Sequence, residues 1–169
     1  MMLTNFLYIK QFLKISLALF LSLPLLSCAS NKSTETEYIE RSLYQIYGSA
    51  LDSLLSSDYK EASLEFEEVE RQHPYSEWAK KAIIMSAYSS YKNRDYIKAE
   101  TNLNRFLNLY PASVLAVYAQ YLLGINYFDQ IIEISRDQTS VTKSLEIFKL
   151  ILDRYPNSNF AKDAYFKVI

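Results

Sequence analysis

The sequence has 169 residues and a net charge of −1, with 50% hydrophobic and 22% charged residues. That suits one domain or one repeat array with a buriable core, and it argues against a nucleic-acid binder. Two glycines and four prolines are few turn formers, which favours helices over a strand-rich sandwich. The single cysteine, Cys28, excludes an intrachain disulfide, and with the single histidine, His73, distant in sequence, neither a zinc site nor a Cys–His catalytic pair is indicated.

Taken in chain order, residues 1–14 carry Lys10 and Lys14 and no acid, and ISLALFLSLPLL at 15–26 is almost purely apolar. The apolar run is too short for a bilayer span, which needs roughly 20 residues. A basic segment followed by a short apolar one reads as an export signal. Leu25-Leu26-Ser27-Cys28 then resembles the bacterial lipobox, which implies a signal peptide over 1–27, cleavage before Cys28 and lipid attachment at Cys28. Ala29 stands where an Asp tends to hold lipoproteins in the inner membrane of enteric bacteria, so its presence favours the outer membrane. Residues 28–37 are polar and read as a lipidated flexible tether.

From residue 38 a ten-residue phrase recurs. HPYSEWAKKA at 73–82, YPASVLAVYA at 110–119 and YPNSNFAKDA at 155–164 share the pattern [HY]-P-x-S-x-x-A-x-x-A. The prolines at 74, 111 and 156 stand 37 and 45 residues apart, a period that marks a helical solenoid. Before each proline, apolar residues at spacings of three and four predict one helix: Phe66 and Val69, Leu103 and Phe106, Phe148 and Ile151. Each proline ends that helix, and Ser76, Ser113 and Ser158 are predicted to cap the next one. Alanine pairs such as Ala79 and Ala82, facing Ala62, Ala99 or Ser144, allow close helix approach.

Each unit is therefore a helix–turn–helix that resembles the tetratricopeptide repeat, with small residues at the eighth position, Ala50, Ala87 and Gly124. The expected fold is all-α: a tetratricopeptide-like solenoid over 38–169, three repeats and the start of a fourth. The fourth begins at Ser158 and stops at Ile169 in mid-helix, so the domain reads as C-terminally truncated. About eight extra residues in the third unit fall within 129–142 and read as a longer connection between its helices, where Arg136 and Asp137 could cap or clamp the second helix.

In tetratricopeptide arrays the first helices line the concave face. Mapped onto this chain, the inward positions are Tyr44, Tyr47, Leu51 and Leu54; Lys81, Ile84, Tyr88 and Tyr91; and Tyr118, Tyr121, Ile125 and Phe128. Tyr combines apolar area with few rotors and one polar handle. Tyr44, Tyr47, Tyr88, Tyr91, Tyr118, Tyr121 and Phe128 are thus candidates for a groove that binds an aromatic-rich peptide. The competing reading of each ring is that it fills space between adjacent helices. His73 reads as a helix-end residue and the glutamates of 61–70 as a solvated helix face. No nucleophile–base pair, metal cluster or phosphate loop is visible, so neither an enzyme nor a cofactor is expected.

The lipobox, the tether and the runs DYKEASLEFEEVERQHPYSEWAKKA (58–82), AYSSYKNRDYIKAETNLNRFLNLYP (87–111), YAQYLLGINYFDQI (118–131) and RDQTSVTKSLEIFKLILDRYPNSNFAKDA (136–164) together resemble the BamD, or ComL, family. These are outer-membrane lipoproteins of the β-barrel assembly (BAM) machinery. The resemblance covers nearly all of 38–169. It implies a lipid-anchored protein on the periplasmic face of the outer membrane of a Gram-negative bacterium. It implies a groove for the C-terminal, aromatic-rich strands of unfolded outer-membrane proteins, and as partners a BamA-like barrel protein with POTRA domains and other BAM lipoproteins. The family has five repeats, so about two are absent here, and the absent C-terminal ones carry much of the BamA contact. Arg105, in a run resembling one of the family's, is a candidate groove-edge or structural residue. The alternative is another periplasmic tetratricopeptide scaffold lipoprotein, tied to envelope division or to peptidoglycan.

Overall fold

The computed structural model describes residues 41–131 and 138–169. The described residues are all helix and turn, with α1 Leu43–Leu55, α2 Tyr59–Gln72, α3 Glu77–Lys92, α4 Tyr96–Leu109, α5 Ala116–Phe128, α6 Gln138–Arg154 and α7 Asn159–Val168. Each helix packs on the next in chain order, and the first helices of successive units also touch, α3 with α5 and α5 with α7. This is the expected tetratricopeptide-like solenoid. No helix among the described residues is long and apolar enough to cross a membrane.

The turn within each of the first two units is a two-residue device. Ser57 (φ 63°) and Arg94 (φ 60°) adopt the left-handed conformation. The N–H groups of Ser57 and Asp58 return to the carbonyls of Leu54 and Ser53, and those of Arg94 and Asp95 to Tyr91 and Ser90. This is the Schellman closure of a helix C-terminus. The same aspartates then open the following helix: Asp58 accepts from the Glu61 N–H at 3.3 Å and Asp95 from the Lys98 N–H at 3.1 Å. One side chain per turn thus satisfies donors that a helix start leaves free.

The turns between units follow the prolines as predicted. α2, α4 and α6 stop before Pro74, Pro111 and Pro156. His73 is the C-cap of α2, its N–H donating to the Val69 carbonyl at 2.9 Å, and its ring Nε2 lies 3.2 Å from the Arg41 carbonyl oxygen. Ser76 and Ser158 are N-caps, accepting from Ala79 and Ala161 at 3.1 Å each.

Ser113 departs from the expectation. Its hydroxyl accepts from the Leu115 N–H at 3.2 Å, and α5 starts at Ala116 with no side-chain cap. The phrase there continues Val114-Leu115, where the other two place a polar residue and an aromatic. The third connection, 129–137, is longer than 56–58 and 93–95, as expected, and ends before 142. α6 begins at Gln138, so Gln138–Thr142 belong to the helix, with Val141 extending the apolar spacing by a turn. Arg136 and Asp137 lie outside the described residues.

Three apolar clusters fill the layer between helices. Ile46, Ala50, Ala62, Phe66, Val69 and Ala82 form the first; Ile83, Leu103, Phe106, Leu122 and Leu123 dominate the second; Phe148, Ile151, Ala161 and Ala164 form the third. The alanine pairs of the repeated phrase are all buried. Gly124 is closely approached: a Cβ there would stand 2.6 Å from Phe148 Cε1. The small eighth position is therefore a steric requirement in the third unit.

Candidate peptide-binding face

The predicted tyrosines fall into three ring groups along α1, α3 and α5. In the first, Tyr47 meets Trp78 edge-on at 4.7 Å between centroids and Phe66 at 5.3 Å, and Tyr44 reaches Trp78 at 6.4 Å. Tyr44 is 77% exposed. In the second, Tyr91 lies 6.4 Å from Tyr88 and 6.3 Å from Tyr96. In the third, Phe160 is shared by Tyr118 (5.6 Å) and Tyr121 (5.1 Å), while Tyr121 and Phe128 both contact Phe148 at 6.3 and 6.2 Å. Tyr47, Trp78, Tyr88, Tyr91, Tyr96, Tyr118, Tyr121, Phe128 and Phe160 are half-buried, and Phe66 and Phe148 are fully buried. All of the half-buried rings except Tyr96 pack against an apolar cluster and keep part of their surface exposed. Filling space and offering a surface are thus both served by one side chain, and such ring pairs contribute roughly 0.5–1.5 kcal/mol beyond area burial.

Two phenols tie successive units together. Tyr91, on α3, donates to Asp129 at the end of α5. Tyr121, on α5, donates to Asp163 on α7 at 2.5 Å. Burial, and then the neighbouring carboxylate, push both phenols above the ordinary tyrosine range. Burial does the same to Tyr47 and Tyr118. All four stay neutral at physiological pH, and Tyr91 and Tyr121 serve as donors.

Ile84, mapped inward by the repeat register, is only 3% exposed and belongs to the second cluster, because the contact of α3 with α5 closes over it. Leu51, Leu54 and Ile125 are half-buried against their clusters. Lys81 lies over the Trp78 ring at 4.7 Å. The sequence reading left out Trp78, Phe160 and Tyr96 as members of this face. Trp78 and Phe160 stand four residues after their prolines, and that shared aromatic position was the available signal. The fold alone brings in Asp129 and Asp163.

The glutamates of α2 are not simply a solvated face. Glu67 accepts from Ser86 and from Asn102 Nδ2 at 3.2 Å each and pairs with Lys98 at 3.0 Å. Glu70 is held by both Nη groups of Arg105, which makes Arg105 a clamp between α2 and α4. Glu65 accepts from Ser49 and Ser53 on α1. Glu61 alone of these remains an exposed helix-start acid.

Cys28, the signal segment 1–27 and the tether 28–37 lie outside the described residues. Residues 40–169 match the family model YfiO, described as an outer membrane lipoprotein. Similar proteins named outer membrane protein assembly factor BamD include those of three bacteria. That of Caulobacter vibrioides is 39% identical over 142 residues, covering 83% of this chain and 47% of the relative. That of Rickettsia prowazekii is 31% identical over 154 residues, covering 91% and 61%. That of Neisseria gonorrhoeae is 28% identical over 169 residues, covering 92% and 63%. The chain thus spans from under half to just over three-fifths of the length of these relatives. A match over residues 40–169, on a helical repeat domain of the expected architecture, places the chain in the YfiO (BamD) family of outer-membrane lipoproteins.

Proposed function

We propose that this chain is a non-enzymatic lipoprotein component of the outer-membrane β-barrel assembly machinery. Its role is to capture unfolded outer-membrane proteins through an extended, aromatic-rich C-terminal strand. The carrying observation is the row of half-exposed rings on α1, α3 and α5, continued by Trp78 and Phe160. Rings fixed from behind by packing bind with little loss of side-chain freedom, which is why tyrosine and tryptophan dominate binding hot spots.

In this reading residues 1–27 direct export and are removed, and Cys28 carries the lipid. At about 0.8 kcal/mol per buried CH₂, two or three acyl chains hold the domain on the periplasmic face of the outer membrane. Residues 28–37 let the solenoid reach its clients. The captured strand then passes to a BamA-like POTRA barrel protein, with other BAM lipoproteins as neighbours, and no cofactor takes part.

The test is affinity capture of the tagged protein from detergent-solubilised envelopes, with mass spectrometry of the co-purifying proteins. A POTRA-containing barrel protein is the expected companion. Division or peptidoglycan proteins in its place would transfer the chain to the scaffold reading.

A further inference from the structure

The two edges of the solenoid differ in chemistry. Each helix packs on the next across a turn, so α1, α3, α5 and α7 begin on the edge where α2, α4 and α6 end. Ring pairs join the starts of successive first helices there, Tyr44 with Trp78 and Tyr118 with Phe160. The turns on this edge, 73–76, 110–115 and 155–158, contain no Asp, Glu, Lys or Arg. Pro74, Tyr75, Leu109, Pro111, Val114 and Pro156 are exposed on it, Tyr75 fully and Val114 at 91%. The opposite edge carries Asp58, Arg94, Asp95 and Asp129, all exposed. Apolar side chains gathered on one edge, with the charges on the other, mark a contact surface rather than scattered exposure.

The chain enters the domain on the apolar edge. The Arg41 N–H donates to Gln72 Oε1 at 3.0 Å, and the Arg41 carbonyl oxygen lies 3.2 Å from His73 Nε2, so the entry point abuts the turn that bears Pro74 and Tyr75. Arg41 stands 13 positions after Cys28 (41 − 28). Even a fully extended chain of that length spans only about 45 Å. The charged edge lies a further helix length away, about 20 Å for the 13 residues of α1. A lipid on Cys28 therefore holds the apolar turns at high local concentration beside the bilayer.

We infer that the inter-unit turns make a second, non-covalent contact with the phospholipid surface, with Tyr75, Leu109 and Val114 entering the headgroup region. The inference rests on the lipid attachment at Cys28 proposed above and adds an orientation to it: the helices stand on the bilayer and the edge of Asp58, Asp95 and Asp129 faces away. Tyrosine suits a membrane–water interface, because its ring is apolar and its hydroxyl can stay wet. The prolines at the turn tips have no N–H to desolvate. The turns need not hold the protein by themselves, because stable anchoring combines an inserted lipid with a second, weaker signal.

The experiment uses the full lipidated chain in vesicles of phosphatidylethanolamine and phosphatidylglycerol, with an environment-sensitive fluorophore on one introduced cysteine. Val114→Cys reports on the apolar turns and Lys92→Cys on the opposite edge; both positions are exposed. Both proteins are expected to float with the vesicles. The label at 114 should shift to the blue and be quenched by lipids spin-labelled near the headgroup, while the label at 92 keeps its intensity. Tyr75→Asp, added to Val114→Cys, should restore the lost intensity without releasing the protein from the vesicles. Flotation with the label at 114 unquenched, whether it is wet or covered by another protein chain, would overturn the inference and leave the anchor standing. Equal quenching at 92 and 114 would overturn it too, since neither edge would then be preferred. Failure to float would overturn the lipid attachment and the inference with it.

Discussion

The junction of the first two units and the junction that closes the third are written with the same sequence phrase and held by different chemistry. Between α2, α3 and α4 a buried polar network runs beside the apolar clusters. Ser63 lies 3.2 Å from Ser86 and 2.8 Å from Ser90, oxygen to oxygen, and Asn102 donates to Ser86 at 3.0 Å and to Glu67 at 3.2 Å. Lys98 and Arg105 close the rim on Glu67 and Glu70. Between α5, α6 and α7 the fully buried contacts are mainly apolar, with polar links such as Tyr121 to Asp163 among partly buried groups. Gly124 admits Phe148, whose ring is boxed by Tyr121 and Phe128. A polar junction is directional and fixes register, whereas an aromatic one depends on shape and volume. The repeat phrase specifies that two helices meet; the residues between phrases decide how they are held.

The aromatic junction should break most severely. Phe148→Ala is expected to cost about 3–5 kcal/mol in urea denaturation. Gly124→Ala should cost about 1–3 kcal/mol by overpacking, despite the better helix propensity of alanine. Combining Gly124→Ala with Phe148→Leu should cost less than the two changes summed, since they share one space. Strict additivity would mean that the close approach of Gly124 to Phe148 is not what demands the glycine.

The polar junction should break next. Asn102→Ala removes one donor from both Glu67 and Ser86, and is expected to cost about 1–3 kcal/mol. The rim pairs are partly exposed and contribute at most about 1 kcal/mol each, so 0.5 M salt should move the midpoint by far less than Asn102→Ala does. A salt effect as large as that of the mutation would shift the weight from the buried network to the ion pairs.

The smallest effect concerns a turn that the first two units share. Arg94→Gly removes a side chain from a left-handed position and should stabilise by about 1 kcal/mol, as should Ser57→Gly. Destabilisation instead would assign the Arg94 side chain a contact worth more than its backbone strain.

The units, their order and the places where helices end were legible because proline, capping serine and small-residue positions act locally. The Asp58 and Asp95 turns were less so, since a left-handed serine or arginine has none of glycine's signature. Ser113 misled because capping depends on the next two residues, and Val114-Leu115 differ from Glu77-Trp78. The tyrosines mapped by the repeat register lie on α1, α3 and α5, where all but Tyr44 are half-buried. The burial of Ile84 and the pairing of Glu67 and Glu70 were not legible, because both depend on how one unit tilts against the next, which no single-helix pattern records.

The central claim is that the rings of α1, α3 and α5 form a peptide-binding face. The most direct measurement is the affinity of an aromatic-rich peptide probe for the chain and for its Tyr88→Ala/Tyr91→Ala variant, with far-ultraviolet circular dichroism of both. The account predicts at least tenfold weaker binding by the variant, the loss expected of two hot-spot tyrosines, with the helical signal retained. Unchanged affinity in a folded variant would contradict it and leave these rings as inter-helix packing alone.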